Sequence, residues 1–169
     1  MKGKKIAVIG SGSWATAIAK IITDNGHQIN WWVRQSDNIA YFKKRHHNPH
    51  YLRNAFFDTT KINFSDDIAE VVKQSSVIIM AVPSIHIESV LHAVPSDLLK
   101  DKKVVSAIKG VMPNYNILLH DFLAQKFDFP VSQYFTLLGP SHAEEVAAEQ
   151  LSYLTFSGVD TLLTSEIAS

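Results

Sequence analysis

Gly10-Ser11-Gly12-Ser13-Trp14-Ala15 stands between an apolar run and an amphipathic periodicity, and these six residues constrain the fold more than any other stretch of the chain. Lys5 to Gly10 (Lys-Ile-Ala-Val-Ile-Gly) is short, nearly continuous in apolar residues and ends on glycine, the pattern of a strand buried on both faces of a parallel sheet. After the loop the period changes. Trp14, Ala17, Ile18, Ile21 and Ile22 fall at i, i+3, i+4, i+7 and i+8, which aligns one apolar helical face. Asn25-Gly26 supplies a helix stop, and Gln28 to Val33, rich in tryptophan and branched residues, reads as a second strand. The chain therefore opens β-α-β.

The alternation continues. Ile39 to Arg45 reads as a short helix, His46 to Thr60 as a loop with Asn48-Pro49 and Arg53-Asn54 turn signals, and Ile62 to Phe64 as a brief strand. Ser65 or Asp66 is placed to cap a helix through Lys73. Ser76 to Val82 is another buried-strand run stopped by Pro83, with Ser84 placed to cap a helix reaching about Val94. Lys103 to Ile108 is a strand running into Lys109-Gly110, Ile117 to Gln125 a helix, and Tyr134 to Leu138 a strand. Gly139-Pro140-Ser141 leads into a helix over Ala143 to Glu149, and Tyr153 to Phe156 is a last strand. Strands alternating with helices through short connections specify an α/β fold: a Rossmann-type, doubly wound, mostly parallel sheet with helices on both faces. At 169 residues this is one domain, residues 1–169. The helical stretch that Asp160 begins is still running at Ser169, so the domain reads as the N-terminal part of a longer protein.

Composition narrows the chemistry. With 46% hydrophobic and 19% charged residues the chain is an ordinary globular protein, and sixteen basic residues balancing sixteen acidic ones argue against a nucleic acid as the main partner. The absence of cysteine excludes disulfides, thiolate nucleophiles and Cys-based zinc sites. The N-terminus offers neither a signal-peptide core nor a membrane span, so the expected setting is cytoplasmic.

A pyrophosphate needs backbone N–H groups close to it and the positive end of a helix dipole, which a tight glycine turn between strand and helix provides. Gly10 makes the turn, Gly12 lets the backbone approach, and Ala15 takes the position where helix and strand pack closely. The expected ligand is a dinucleotide, NAD or NADP. Open parallel sheets bind ligands beyond the carboxyl ends of their strands, so the residues following each apolar run should converge on one cleft. These are Ser13 and Trp14, Arg34, Pro83 and Ser84, Lys109 and Gly110, and Gly139-Pro140-Ser141. Lys109 is the most telling, a lone cation able to meet a substrate carbonyl or phosphate oxygen. At the end of the second strand, where an NAD-selective site places Asp or Glu against the ribose, the chain has Arg34, which suits a 2′-phosphate; NADPH is the expected preference.

Other constellations are weaker. His46, His47 and His50 resemble a metal cluster, but Pro49 forbids the helix that would align His46 with His50, and no metal is expected. Ser141 and His142 are adjacent, and neighbours on a helix point about 100° apart, which defeats a direct nucleophile–base dyad. Asp66-Asp67 and Glu144-Glu145 read as first-turn carboxylates favouring a helix dipole, and Trp31 and Trp32 as strand residues packing opposite faces of the sheet.

Five segments in order, Ile9 to Ala17, Asn48-Pro49-His50-Tyr51-Leu52, Ala81-Val82-Pro83-Ser84, Lys109-Gly110 and Gly139 to Ala147, give the chain a family resemblance. It resembles the N-terminal domain of bacterial NAD(P)-dependent glycerol-3-phosphate dehydrogenases, in the branch related to 6-phosphogluconate dehydrogenase. It departs from that pattern in having Ala15 for a glycine, and Arg53-Asn54 where the family more often has proline. The resemblance implies reversible reduction of dihydroxyacetone phosphate to sn-glycerol 3-phosphate for phospholipid synthesis. It places Ser13, Trp14, Arg34 and Tyr51 against the dinucleotide, with Pro83 and Ala143 bordering it. Lys109 would touch cofactor and substrate, and Gly139 and Ser141 the substrate side. It also puts the proton-donating lysine and most of the phosphate site in a helical C-terminal domain, and allows a homodimer of the full-length enzyme. The residues leave two alternatives open: another reductase of the same superfamily, of ketopantoate or pyrroline-carboxylate type, and a non-catalytic NAD(P)-binding module.

Overall fold

Strand β1 (Ile6–Ile9) is an interior strand of a seven-stranded sheet in the computed structural model, which describes residues 5–168. On one side β1 pairs with β2 (Ile29–Trp32), which pairs with β3 (Ile62–Ser65); on the other it pairs with β4 (Val77–Met80), then β5 (Lys103–Ser106) and β6 (Tyr134–Leu138), all parallel. β7 (Thr155–Gly158) runs antiparallel along β6, giving the order β3-β2-β1-β4-β5-β6-β7. The helices are α1 (Ser13–Asp24), α2 (Ser36–Arg45), α3 (Ile68–Lys73), α4 (Ile87–Leu91), α5 (Leu119–Phe127), α6 (Ala143–Ala147) and α7 (Thr161–Ala168). This is the doubly wound Rossmann-type arrangement read from the sequence.

The apolar runs are continuous because both sheet faces are covered, and successive residues serve opposite cores. Ile6, Val8 and Trp31 pack with Ile18 of α1 and Phe42 of α2 on one face. Ala7, Ile9 and Trp32 pack with Val71 of α3, Leu91 of α4 and Leu123 of α5 on the other. The two tryptophans thus divide between the faces as expected. Trp31 is the hub of an aromatic cluster, with ring centroids 5.0 Å from Phe42, 5.4 Å from Phe57 and 5.6 Å from Phe64.

Several local expectations are corrected. The cap of α3 is Asp67, whose carboxylate accepts the Glu70 N–H at 3.1 Å; Ser65 Oγ instead accepts the Asp67 N–H, and Asp66-Asp67 precede the helix rather than forming its first turn. Ser84 caps nothing: it begins a 3-10 turn, Ser84–His86, that leads into α4, and α4 ends at Leu91. Ile117 is outside α5 because its carbonyl accepts the Met112 N–H at 2.8 Å, closing the loop before the helix. α6 stops at Ala147, and just beyond it Glu149 takes a φ of 59°, which no continuing helix allows. The last strand lies two residues later than expected and is antiparallel.

Phe42 is the one fully buried residue of α2 and joins that helix to the aromatic cluster. Phe42→Ala should lower stability by about 3–5 kcal/mol, the range for deleting a buried aromatic ring, with the midpoint in urea denaturation as the measurement.

Candidate dinucleotide site

Four strand ends converge on one cleft of about 490 Å3. Gly12, Ser13 and Trp14 come from the end of β1, Ala81 to Ser84 from β4, Ala107 to Lys109 from β5, and Ser141 to Glu144 from β6. The cleft lies where β1 and β4 run side by side and the strand order reverses, the place where open α/β sheets take their ligands. A larger hollow of about 690 Å3 at the other ends of β1, β2 and β3 is bordered by Asn25 and Gly26, the C-terminal and hence partially negative end of α1, and suits a phosphate poorly.

The two loop glycines exist for different reasons. Gly10 has a φ of +117°, and a Cβ there would lie 2.7 Å from the Ala81 carbonyl oxygen and 2.8 Å from Val82 Cγ1. Its backbone is also committed, the N–H to Trp32 O at 3.3 Å and the carbonyl to the Trp31 indole N–H at 2.7 Å. The sheet itself demands glycine at this position. Gly12 has an ordinary φ of −73°, and a Cβ added to it would meet nothing within 4 Å. No neighbour in the described chain forbids a side chain there. What a side chain would occupy is the space in front of the N-terminus of α1. That helix end carries no side-chain cap and no acidic residue in its first turn, so its leading N–H groups and dipole face the opening uncompensated. An open cradle at an uncapped helix N-terminus fits a pyrophosphate.

Lys109 enters the cleft from a loop rather than from a strand end. β5 stops at Ser106, and the Lys109 ammonium sits 5.8 Å from the centroid of the Trp14 ring, a cation–π distance, joining the two sides of the cleft. The rest of that loop is fastened to α4: Glu88 accepts hydrogen bonds from the Tyr115 hydroxyl and, at 3.2 Å, from Asn114 Nδ2. These bonds hold the Glu88 carboxyl below the usual carboxylate range, and the bond to Glu88 pushes the Tyr115 phenol up. The clamp is therefore whole above ordinary carboxylate pKa values and fails as pH falls through the lowered value of Glu88. At the alkaline side it is whole below the ordinary tyrosine pKa and fails as pH rises through the raised value of Tyr115. Across the neutral range it stays closed.

Residues 5–162 match the family described as NAD-dependent glycerol-3-phosphate dehydrogenase N-terminus. The chain belongs to this family. It is 32% identical over 170 residues to glycerol-3-phosphate dehydrogenase [NAD(P)+] of Lacticaseibacillus casei, covering 96% of this chain and 48% of that protein. To the enzyme of the same name from Bacillus subtilis it is 32% identical over 165 residues, covering 97% and 48%. The crystal structure of glycerol-3-phosphate dehydrogenase from Coxiella burnetii superposes with a TM-score of 0.83 at 23% identity, over 97% of this chain and 49% of that one, and supports the fold. The chain spans about half the length of the curated relatives it matches.

Within this domain, Gly12, Ser13, Trp14, Pro83, Lys109, Ser141 and Ala143 come together in the cleft. Ala15 is fully buried, so its part is packing and not contact. Ser141 is buried with its hydroxyl donated to Tyr153 O at 3.1 Å, and a Cβ on Gly139 would lie 2.2 Å from the same oxygen. The glycine, at a φ of +155°, thus lets the segment before β7 press against the end of β6. Gly110, Gly139, Pro140, Arg34 and Tyr51 are not among the cleft-lining residues. Arg34 is exposed at the end of β2, which lies on the far side of β1 from β4. His47 packs edge-on against Tyr41 and Phe56, and His50 lies beside Tyr51. Among the described residues no group of three or more His, Cys, Asp or Glu is placed to hold a metal, and no helix is long and apolar enough to cross a membrane.

Four contributors were not singled out from the sequence. Thr16 and Asn48 are buried polar residues bonded to the carbonyls of the glycine loop, and His142 and Glu144 bring titratable groups to the cleft wall. The Asn48-Pro49 turn signal was visible, but its tie to residue 11 joins positions 37 apart, beyond any local pattern.

The contrast between the glycines gives a paired test. Gly10→Ala should destabilise the fold through a contact with backbone that has no room to yield, lowering Tm by several degrees. Gly12→Ala should leave Tm within about a degree while weakening dinucleotide binding tenfold or more, measured by thermal denaturation and calorimetric titration of the same samples.

Proposed function

We propose that this chain is the cofactor-holding half of a glycerol-3-phosphate dehydrogenase that interconverts dihydroxyacetone phosphate and sn-glycerol 3-phosphate with NAD(P), supplying glycerophospholipid synthesis in the cytoplasm. The observation that carries the proposal is Gly12: a glycine that no neighbour requires, at the uncapped start of α1, on the strand-order reversal of a domain of this family.

In this reading the backbone N–H groups of Gly12, Ser13 and Trp14 hold the pyrophosphate against the helix dipole. Trp14, Pro83 and Ala143 form the cleft walls that exclude water from the nicotinamide side, and Tyr51 borders the cofactor from the loop after α2. The bound nicotinamide supplies the hydride that reduces a carbonyl carbon, or accepts it from the alcohol. Lys109 places an ammonium where the oxygen of that carbonyl gains negative charge, an interaction stronger in the transition state than in the ground state. Gly139 contributes backbone, and Ser141 its N–H and its hydroxyl lone pairs, on the substrate side, since the Ser141 hydroxyl proton is already given to Tyr153 O. Arg34, whose guanidinium makes no hydrogen bond or ion pair among the described residues, is free to pair with a 2′-phosphate, so NADPH is preferred.

The test is an assay of the full-length protein with dihydroxyacetone phosphate and each reduced cofactor. A protein that binds dinucleotide and reduces no phosphorylated ketone would put the non-catalytic module in place of the enzyme. Lys109→Ala should lower kcat/KM by about two or more powers of ten, and an effect within a few-fold would reduce Lys109 to a loop cation. Arg34→Ala should weaken NADPH by roughly 1.5–3 kcal/mol and leave NADH nearly unchanged; equal losses for both cofactors in calorimetric titration would remove Arg34 from the 2′ position.

A further inference from the structure

We infer that Asn48 is the positioning residue of the phosphate cradle: from beneath the glycine loop it aims the loop's N–H groups at the ligand and ties that aim to the segment bearing Tyr51. The inference rests on the dinucleotide reading above and assigns a role to a residue outside the cleft. Asn48 is 1% exposed and uses its whole hydrogen-bonding capacity. Nδ2 donates to Ser11 O at 3.0 Å and to Thr16 Oγ1 at 2.8 Å, while Oδ1 accepts from the His50 N–H at 2.9 Å and the Tyr51 N–H at 3.2 Å. Two donors on one side and two acceptors on the other match a primary amide; a carboxylate lacks the donors and a hydroxyl is too short to reach both sides.

The consequence follows from the planarity of the peptide bond. In a trans peptide the carbonyl and the N–H point opposite ways, so fixing one fixes the other. Asn48 draws the Ser11 carbonyl inward, which turns the Gly12 N–H outward. Thr16, held by Asn48, donates its hydroxyl to Gly12 O at 2.8 Å beside its own backbone bond to that oxygen at 2.9 Å, which turns the Ser13 N–H the same way. Both N–H groups then face the side where a Cβ on Gly12 would meet nothing. Without this network the loop must find its binding conformation at the cost of the ligand's own binding energy. The other side of the amide fixes the backbone of His50 and Tyr51, so the pyrophosphate seat and the Tyr51 contact are ordered by one side chain.

The experiment uses the full-length protein and measures cofactor KM, kcat at saturating cofactor, and Tm for Asn48→Ala, Asn48→Asp and Thr16→Ala. Asn48→Asp keeps the acceptors for His50 and Tyr51 but loses the donors to the loop; Thr16→Ala removes the support of Gly12 O from the helix side and disturbs Asn48 least. Each folded variant should raise the NADPH KM tenfold or more with kcat changed less than threefold, a split that a loss of stability alone does not produce. Calorimetric titration with ADP, which carries the pyrophosphate and no nicotinamide, should show a loss of similar factor. A KM within threefold of wild type in the folded variants, or kcat falling in step with the rise in KM, overturns the assignment. Wild-type protein that binds neither NADPH nor NADH would instead sink the dinucleotide reading on which it rests.

Discussion

The close approach of the ends of β1 and β4 at Gly10 is the contact on which the rest of the architecture depends. The Ala81 N–H donates to Ile9 O at 2.9 Å, so the β1–β4 ladder continues to the last residue of β1, and the next residue must turn away with no room for a side chain. Only glycine satisfies the turn and the contact together. That turn sends the chain into α1 across one sheet face, and its position beside β4 makes the N-terminus of α1 open at the reversal of strand order. A larger residue at 10 would push the two strand ends apart and remove at once the cleft floor and the direction of the helix.

The core and the site share the same groups. Trp31 and Trp32 look like two hydrophobic residues filling two faces, yet each indole N–H ends on a loop carbonyl of its own side: Trp31 on Gly10, where the cradle begins, and Trp32 on Asp66 at 3.0 Å, just before the Asp67 cap of α3. A buried indole needs such a partner, and satisfying it pins the chain where it leaves the sheet. Phe42 and Phe57, packed on Trp31, carry the rigidity outward to the segment that returns from α2, and within that segment Asn48 reaches back to the glycine loop. Packing energy and ligand geometry are thus connected through a few residues, and a core mutation near Trp31 acts on both.

What was legible in the sequence follows from how each signal arises. Double-sided burial writes itself as unbroken apolar runs, so β1, β2, β4 and β6 lie where those runs do, and the cleft residues follow because each run ends at the same edge of a parallel sheet. β7 was displaced because its exposed–intermediate alternation, unlike a buried run, leaves little apolar pattern to locate it. Lys109 was assigned to a strand end, since the ladder contact Ala107 N–H to Met80 O keeps the apolar run going past Ser106 while regular strand has already stopped. Gly139 reads equally as a ligand-side glycine and as a glycine relieving the contact with Tyr153, a contact that exists only in the folded chain. Asn48 was legible as a turn residue and not as a support, because a local pattern holds no information on a partner 37 positions away.

Arg34 stands outside the cleft because β2 lies on the far side of β1 from β4. Arg34 follows β2 and Lys109 lies in the loop after β5, with β1 and β4 between those strands, so the strand ends behind the two residues stand three inter-strand steps apart. At about 4.8 Å per step this is roughly 14 Å between strand ends, room for an extended dinucleotide. The cradle at the end of β1 lies between the two ends, as a pyrophosphate lies between two nucleosides. On the proposed function, the nucleotide half met by Arg34 would lie over β2, outside the walls that enclose the reacting half. On that proposal, selectivity for the 2′ group and the hydride chemistry would be handled on opposite sides of the β1 turn, so either could change by substitution without disturbing the other, provided the glycine loop between them keeps its shape.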